Sequence, residues 1–190
     1  MENTRAKTTR NSLILLLTAT IWGMAFVSQS KGMDYMHPFT FNGVRSLIGA
    51  AGILVYILIS RKIAGDKAAK LDWKLNVRAG LLCGIFLTIA STLQQFGIKY
   101  TSVGKAGFIT TLYIIFVPMF GIFLKKKVAP VVWAAASMAA VGMYLLCMTE
   151  SLRLGAGDIM VFLCAIAFAI QIMTVDHYAA RIDGAVVSCI

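Results

Sequence analysis

Apolar residues gather along this chain into six windows, each about one bilayer thick, and charged residues other than Arg45 are confined to the connections between them. The windows are residues 12–30, 38–60, 79–98, 106–124, 128–149 and 159–175, from 17 to 23 residues each. At a rise of about 1.5 Å per residue they give roughly 25–35 Å of helix, enough to cross a hydrocarbon core of ~30 Å. A water-soluble domain has no reason to repeat that length six times. The pattern predicts an all-α integral membrane protein, a polytopic helical bundle.

The connections sharpen that reading. Pro38 opens the second window, where its missing N–H had no helical partner to lose. Residues 61–78 form the longest connection, rich in Lys and Asp and carrying Trp73. The third and fourth windows are joined by residues 99–105, which is short enough to require a tight antiparallel hairpin. Pro130 opens the fifth window, and residues 150–158 lead to the sixth. A new apolar run begins at Gly184 and stops at Ile190. Seven residues do not span a bilayer, so the chain is expected to be a fragment ending as a seventh helix starts.

Composition agrees: 59% of residues are hydrophobic and 14% charged, against about 25% charged in an average soluble domain. The net charge of +10 raises nucleic acid as a partner, but its distribution excludes it. With the N-terminus in the cytoplasm, thirteen basic residues fall inside: Arg5, Lys7, Arg10, Arg61, Lys62, Lys67, Lys70, Lys74, Arg78, Lys125, Lys126, Lys127 and Arg181. Four fall outside, namely Lys31, Lys99, Lys105 and Arg153, and Arg45 lies within a window. This is the positive-inside bias of a bacterial-type inner membrane protein. The basic N-terminus mimics a signal peptide, but its apolar run is too long and lacks a small-residue cleavage site. Cys83, Cys147, Cys164 and Cys189 are scattered, and His37 and His177 stand apart from them, so neither a metal site nor any other cofactor is expected.

An internal repeat is faintly visible. With an offset of 146, Phe168 falls on Trp22, Asp158 on Ser12 and Gly184 on Pro38. A repeating unit of five helices, an odd number, forces the second copy to be inverted, which is a common architecture of secondary transporters.

Several runs are similar to the drug/metabolite transporter superfamily, in particular its EamA-type branch. They are Trp22-Gly23 with Phe26, Pro38-Phe39 with Val44-Arg45, residues 94–102 from Gln94 to Ser102, residues 104–113 with Val117-Pro118, and Gly157-Asp158. The resemblance implies ten helices in two inverted five-helix repeats. Residues 1–149 would then be the first repeat and residues 150–190 the start of the second. The three lysines at 125–127 depart from the family, where an acidic residue is common.

Polar groups inside a span are functional candidates because each is costly to bury, about 2.5–3.5 kcal/mol for Arg at a bilayer centre. Arg45 lies roughly 10 Å deep, where it either snorkels to the interface or lines a substrate path. Trp22, Asn42, Gln94, Gln95 and Tyr113 fall in one layer of the outer half, and Gln171 lies deeper. Converging polar and aromatic groups in an apolar bundle are how a small-molecule site is built; the alternative is an interfacial belt with interhelical hydrogen bonds. Pro118 predicts a kink near Ile114 and a candidate hinge. Gly80 with Gly84 and Ala136 with Ala140 suggest close helix contacts.

All eight carboxylates, Glu2, Asp34, Asp66, Asp72, Glu150, Asp158, Asp176 and Asp183, fall in loops or at helix ends. An Asp/Glu proton relay is therefore not expected in this portion, and transport would be facilitative or exchange-driven unless a coupling group lies elsewhere. The leading expectation is a non-enzymatic secondary transporter, or part of one, moving a small metabolite such as an amino acid by alternating access. Its partners would be the lipid bilayer, a small-molecule substrate and, as an open option, a second copy in a homodimer. The alternatives are a truncated membrane protein acting by helix association and an integral-membrane enzyme of lipid metabolism.

Overall fold

The computed structural model describes residues 2–64, 72–125, 128–147 and 155–190, and among these all regular secondary structure is helical, with no strand. The helices are α1 (Glu2–Gly32), α2 (Pro38–Ala64), α3 (Trp73–Tyr100), α4 (Val103–Thr111), α5 (Tyr113–Phe123), α6 (Pro130–Cys147), α7 (Ala156–Tyr178) and α8 (Gly184–Cys189). Five stretches are long and apolar enough to cross a membrane: α1, α2, α3, α4 with α5, and α7. The chain is an all-α polytopic membrane protein. Lys126, Lys127, Glu150, Arg153 and most of the second-to-third connection lie outside the described residues.

Several helices overrun their apolar windows, α1 by nearly three turns at its N-terminus, because backbone bonding does not stop where the hydrocarbon does. α3 is the clearest case. Asp72 accepts a hydrogen bond from the Leu75 N–H at 3.1 Å, an N-cap that starts the helix at Trp73, six residues before the apolar window. Ser102 caps α4 likewise, accepting from Lys105 N at 3.2 Å, so the third and fourth spans turn around one extended residue pair.

The fourth span is interrupted, but at Leu112 and not at Ile114. Pro118 has no N–H to offer the Ile114 carbonyl, and the preceding turn tightens. Leu112 N–H bonds to Ile109 O at 3.2 Å and Ile115 N–H to Leu112 O at 2.9 Å, both three-residue steps. The break therefore sits one and a half turns upstream of the proline.

The frame of the bundle is the seam between α3 and α7. A Cβ placed on Gly97 would lie 2.3 Å from Val161 Cγ2 and 3.0 Å from Gly157 O. One placed on Gly157 would lie 2.8 Å from the Tyr100 carbonyl carbon and 2.9 Å from Gly97 O. Two glycines thus let the backbones touch, the usual route to tight packing where lipid removes any hydrophobic drive between helices. Around the seam pack Ala90, Cys164, Ala167 and Phe168 with Leu93 and Tyr113, and Ile98, Ala106, Ile109 and Val161 with Phe26, Phe108 and Leu112.

The small-residue pairs expected from sequence behave differently from each other. Gly84 faces open space, and Gly80 meets Ile190 of the chain's last turn, so this pair does not form a helix–helix groove. Ala136 is buried, and with Ala140 it faces Phe108 and Leu112. α8 wedges against α2 and α3. It is held by Asn76, whose Oδ1 accepts from Asp183 N at 2.9 Å while its Nδ2 donates to Asp72 O at 2.8 Å. α1 and α2 are the outer elements: none of their apolar windows is buried inside the protein, against 39% for α7.

Candidate functional site

Where α1 and α3 end and α2 begins, a polar layer crosses the otherwise apolar bundle. Gln94 and Gln95 are consecutive on α3, so their side chains diverge by about 100° around the helix. Gln94 Nε2 donates to Thr110 Oγ1 on α4 at 3.2 Å. Gln95 Nε2 turns toward α1 and donates to Gln29 O at 3.4 Å. Both glutamines are buried, Gln95 fully, and Gln29 is only 6% exposed.

Half of this layer has unmet hydrogen-bonding capacity. Gln29 Oε1, Gln95 Oε1 and both side-chain polar atoms of Asn42 are buried without a partner. Each such group costs about 1–3 kcal/mol to leave unsatisfied, and native proteins keep few of them. Aromatic contacts draw the three helix ends together. Phe39 of α2 packs edge-on against Phe96 of α3 with centroids 5.3 Å apart, and His37 lies 5.8 Å from the same ring. Gly32 at the end of α1 touches the Phe41 ring so closely that a Cβ there would meet it at 2.6 Å. Asn42 follows Phe41 directly, near the start of α2.

Beside this layer, the ends of α3, α4 and α7 are pinned by one carboxylate. Asp158, 2% exposed, accepts from the Thr101 hydroxyl and from Gly155 N at 2.9 Å, and it faces Lys105 Nζ at 3.6 Å. Its charge also complements the positive end of the α7 dipole.

The other candidates do not close into one cavity within these residues. Tyr113 stands in the core against Phe168, ring centroids 6.4 Å apart. Gln171 lies half-buried one turn beyond Phe168 on α7. Trp22 is 53% exposed on α1. Arg45 is exposed on α2, its guanidinium carbon 6.0 Å from the Phe41 ring centroid, a cation–π distance. Pro118 is buried in α5. At the opposite end of the bundle, where α3 begins and α7 finishes, an apolar cleft of about 630 Å³ is walled by Leu82, Phe120, Phe123, Ile170, Met173 and His177.

Gln29, Thr110 and Asn76 were not singled out by sequence. The signal for Gln29 was present: it is the only carboxamide in its apolar window. Thr110 and Asn76 carry no comparable signal, since a threonine in a span commonly bonds its own helix and Asn76 lies within a charged connection.

Comparison with known proteins gives a consistent picture. Residues 10–148 match the EamA-like transporter family. Over 171 residues the chain is 30% identical to an uncharacterized transporter of Archaeoglobus fulgidus, a match covering 87% of this chain and 48% of that protein. The chain thus spans about half the length of the curated relative it matches. No solved structure matches it.

Proposed function

This chain belongs to the EamA-like transporter family, and from that premise we propose that it forms half of a secondary transporter working by alternating access. In this reading residues 1–149 are the first five-helix repeat and residues 150–190 begin an inverted second one. The protein lies in a bacterial-type inner membrane with its N-terminus in the cytoplasm. The observation that carries the reading is the nakedness of α1 and α2. Their windows bury nothing inside these residues, yet Arg45 and Trp22 lie on them at membrane depth, both exposed. A charged side chain facing hydrocarbon is strongly disfavoured. Closing a second repeat over these helices turns the same surface into the wall of a midplane cavity.

In that cavity Arg45 holds an anionic group of a small metabolite such as an amino acid. Trp22 and Tyr113 wall the path, and Gln94, Gln95 and Asn42 supply hydrogen bonds, with Gln171 contributing from α7. The flaw at Leu112, maintained by Pro118, lets the outer half of the fourth span swing. These residues place no carboxylate mid-span, so transport is facilitative or exchange-driven unless a coupling group lies outside them.

The test is uptake of radiolabelled amino acids by the intact protein in vesicles. Arg45→Ala removes a charge-assisted bond of about 1.5–3 kcal/mol, so apparent affinity is expected to fall roughly ten- to a hundredfold, with Arg45→Lys retaining part of it. Trp22→Ala is expected to lower uptake as well, and unchanged transport in both variants removes this site. Pro118→Ala gives Ile114 O its hydrogen bond back. It is expected to slow turnover severalfold while equilibrium binding of the labelled substrate stays unchanged, and equal turnover in the two proteins would rule out the hinge.

A further inference from the structure

We propose that the apolar cleft between α3, α5 and α7 seats an acyl chain of an anionic phospholipid, whose phosphate is held by the basic residues at the mouth of the cleft. The inference concerns a lipid partner of the bundle and stands independently of the transport reading.

The cleft has the size and lining of a hydrocarbon site. Its volume of about 630 Å³ falls within the ~300–1,000 Å³ of ordinary small-molecule sites. Leu82, Phe120, Ile170 and Met173 are among its walls, with Thr174 and His177 as polar members. The Thr174 hydroxyl donates to Ile170 O within its own helix at 2.8 Å. His177 packs edge-on against Tyr178, ring centroids 4.8 Å apart. None of the described lining residues carries a fixed charge. A polar solute entering here gives up water without gaining partners, whereas an acyl chain gains from every methylene it buries.

Depth sets the cleft at the membrane boundary. On α5 its wall ends at Leu124, the last residue of an apolar window, and on α7 it runs from Ile170 past the end of the window at Val175 to Tyr178. Ile170 lies five residues inside that end, roughly 8 Å into the hydrocarbon.

Where the walls leave the hydrocarbon they turn basic. Lys74, Arg78 and Leu82 follow one another on α3 at four-residue spacing and so share a face, with Arg78 one turn beyond the wall. Lys125 directly follows Leu124 and leaves α5 in the left-handed conformation, φ 57°. Arg181 lies three residues past Tyr178. All four cations are exposed. The described carboxylates near this end are Asp72, Asp176 and Asp183, and Asp72 and Asp183 are engaged as N-caps of α3 and α8. A hydrocarbon slot opening onto exposed cations at headgroup level is the arrangement that recognises an anionic lipid. In the orientation proposed above, this is the cytoplasmic leaflet.

The experiment uses the intact protein in detergent micelles with a trace of phosphatidylglycerol carrying a photoactivatable diazirine on one acyl chain. Labelled peptides are mapped by mass spectrometry, with unlabelled phosphatidylglycerol or phosphatidylcholine of the same acyl chains as competitor. Labels are expected on the peptides spanning 120–124 and 170–178, and phosphatidylglycerol is expected to compete about tenfold better than phosphatidylcholine. Arg78→Gln combined with Lys125→Gln is expected to remove most of that preference. Thr174→Phe puts a ring into the slot and is expected to lower labelling of both peptides severalfold, with the melting temperature in lipid-free detergent unchanged. Equal competition by the two lipids, or labels spread evenly over all the spans, means ordinary boundary lipid and overturns the proposal on the unmodified protein alone. A preference that survives the double charge variant overturns the assignment of the phosphate to these cations. A photoreactive amino acid in place of Thr174 that crosslinks to another protein segment instead of lipid gives the cleft to a helix and overturns the proposal as well.

Discussion

Replacing Asp158 by alanine is expected to lower the free energy of unfolding in mixed micelles by about 3 kcal/mol, near the lower end of what breaking a buried pair costs. Three losses coincide. The Gly155 N–H at the start of α7 loses its acceptor, the Thr101 hydroxyl loses its own, and Lys105 loses its ion pair with this carboxylate. Lys105 is partly exposed, 16% against 2% for Asp158, so water relieves some of the penalty, and the estimate stays at that lower end. Asp158→Asn keeps the shape and an acceptor and is expected to lose about half as much. A double variant with Lys105→Met separates the parts. If the ion pair dominates, the two changes together cost less than their sum. If the cap and the Thr101 bond dominate, they add. An Asp158→Ala protein unfolding at the wild-type denaturant concentration would show that this carboxylate does not pin α7 to the hairpin of α3 and α4.

Gly157→Ala is expected to be nearly as damaging. The added methyl meets the Tyr100 carbonyl carbon at 2.8 Å and Gly97 O at 2.9 Å, both backbone atoms that move only if a helix moves. Overpacking of this kind costs up to about 3 kcal/mol, and alanine's better helix propensity returns about 1 kcal/mol. The net loss is about 2 kcal/mol. Gly97→Ala is expected to cost less, since its nearest obstacle is Val161 Cγ2, a side chain that can shift, though the Gly157 carbonyl limits the relief. Gly84 supplies the control: nothing lies within 4 Å of a Cβ there, so Gly84→Ala is expected to be neutral or stabilising by about 0.5–1 kcal/mol. Equal stability in Gly157→Ala and Gly84→Ala would mean the α3–α7 backbones do not touch.

Five of the six expected spans stand among the described residues, legible because bilayer thickness imposes a length on any apolar helix, and length survives in a linear sequence. Which face of a span meets protein did not survive. A lipid tail is as apolar as a leucine side chain, so the buried Val161 and the exposed Leu163 read alike. The same blindness governs the site. The depth of Arg45 and Trp22 could be counted from the helix ends, but their exposure could not. Gln94 and Gln95 read as one polar pair, whereas their divergence around α3 gives each a different neighbour. Gln29 lies two residues from Lys31, where a polar side chain looks interfacial. The interruption at Leu112 was displaced from its expected place because a proline's steric push is absorbed upstream, where the helix can tighten into shorter hydrogen-bonded steps.

The tie between Asn76 and Asp183 has a consequence for biogenesis. The acceptor is translated 107 residues before its donor, an interval of roughly 5–20 s at ribosomal speeds of about 5–20 residues per second. Late in that interval α3 is complete while the Asn76 Oδ1 still lacks its Asp183 donor and Gly97 on its seam face still lacks α7. Retention of α3 at the insertion machinery until the later helix arrives is the economical outcome, so a ribosome stalled before residue 155 should leave α3 crosslinkable to the translocon.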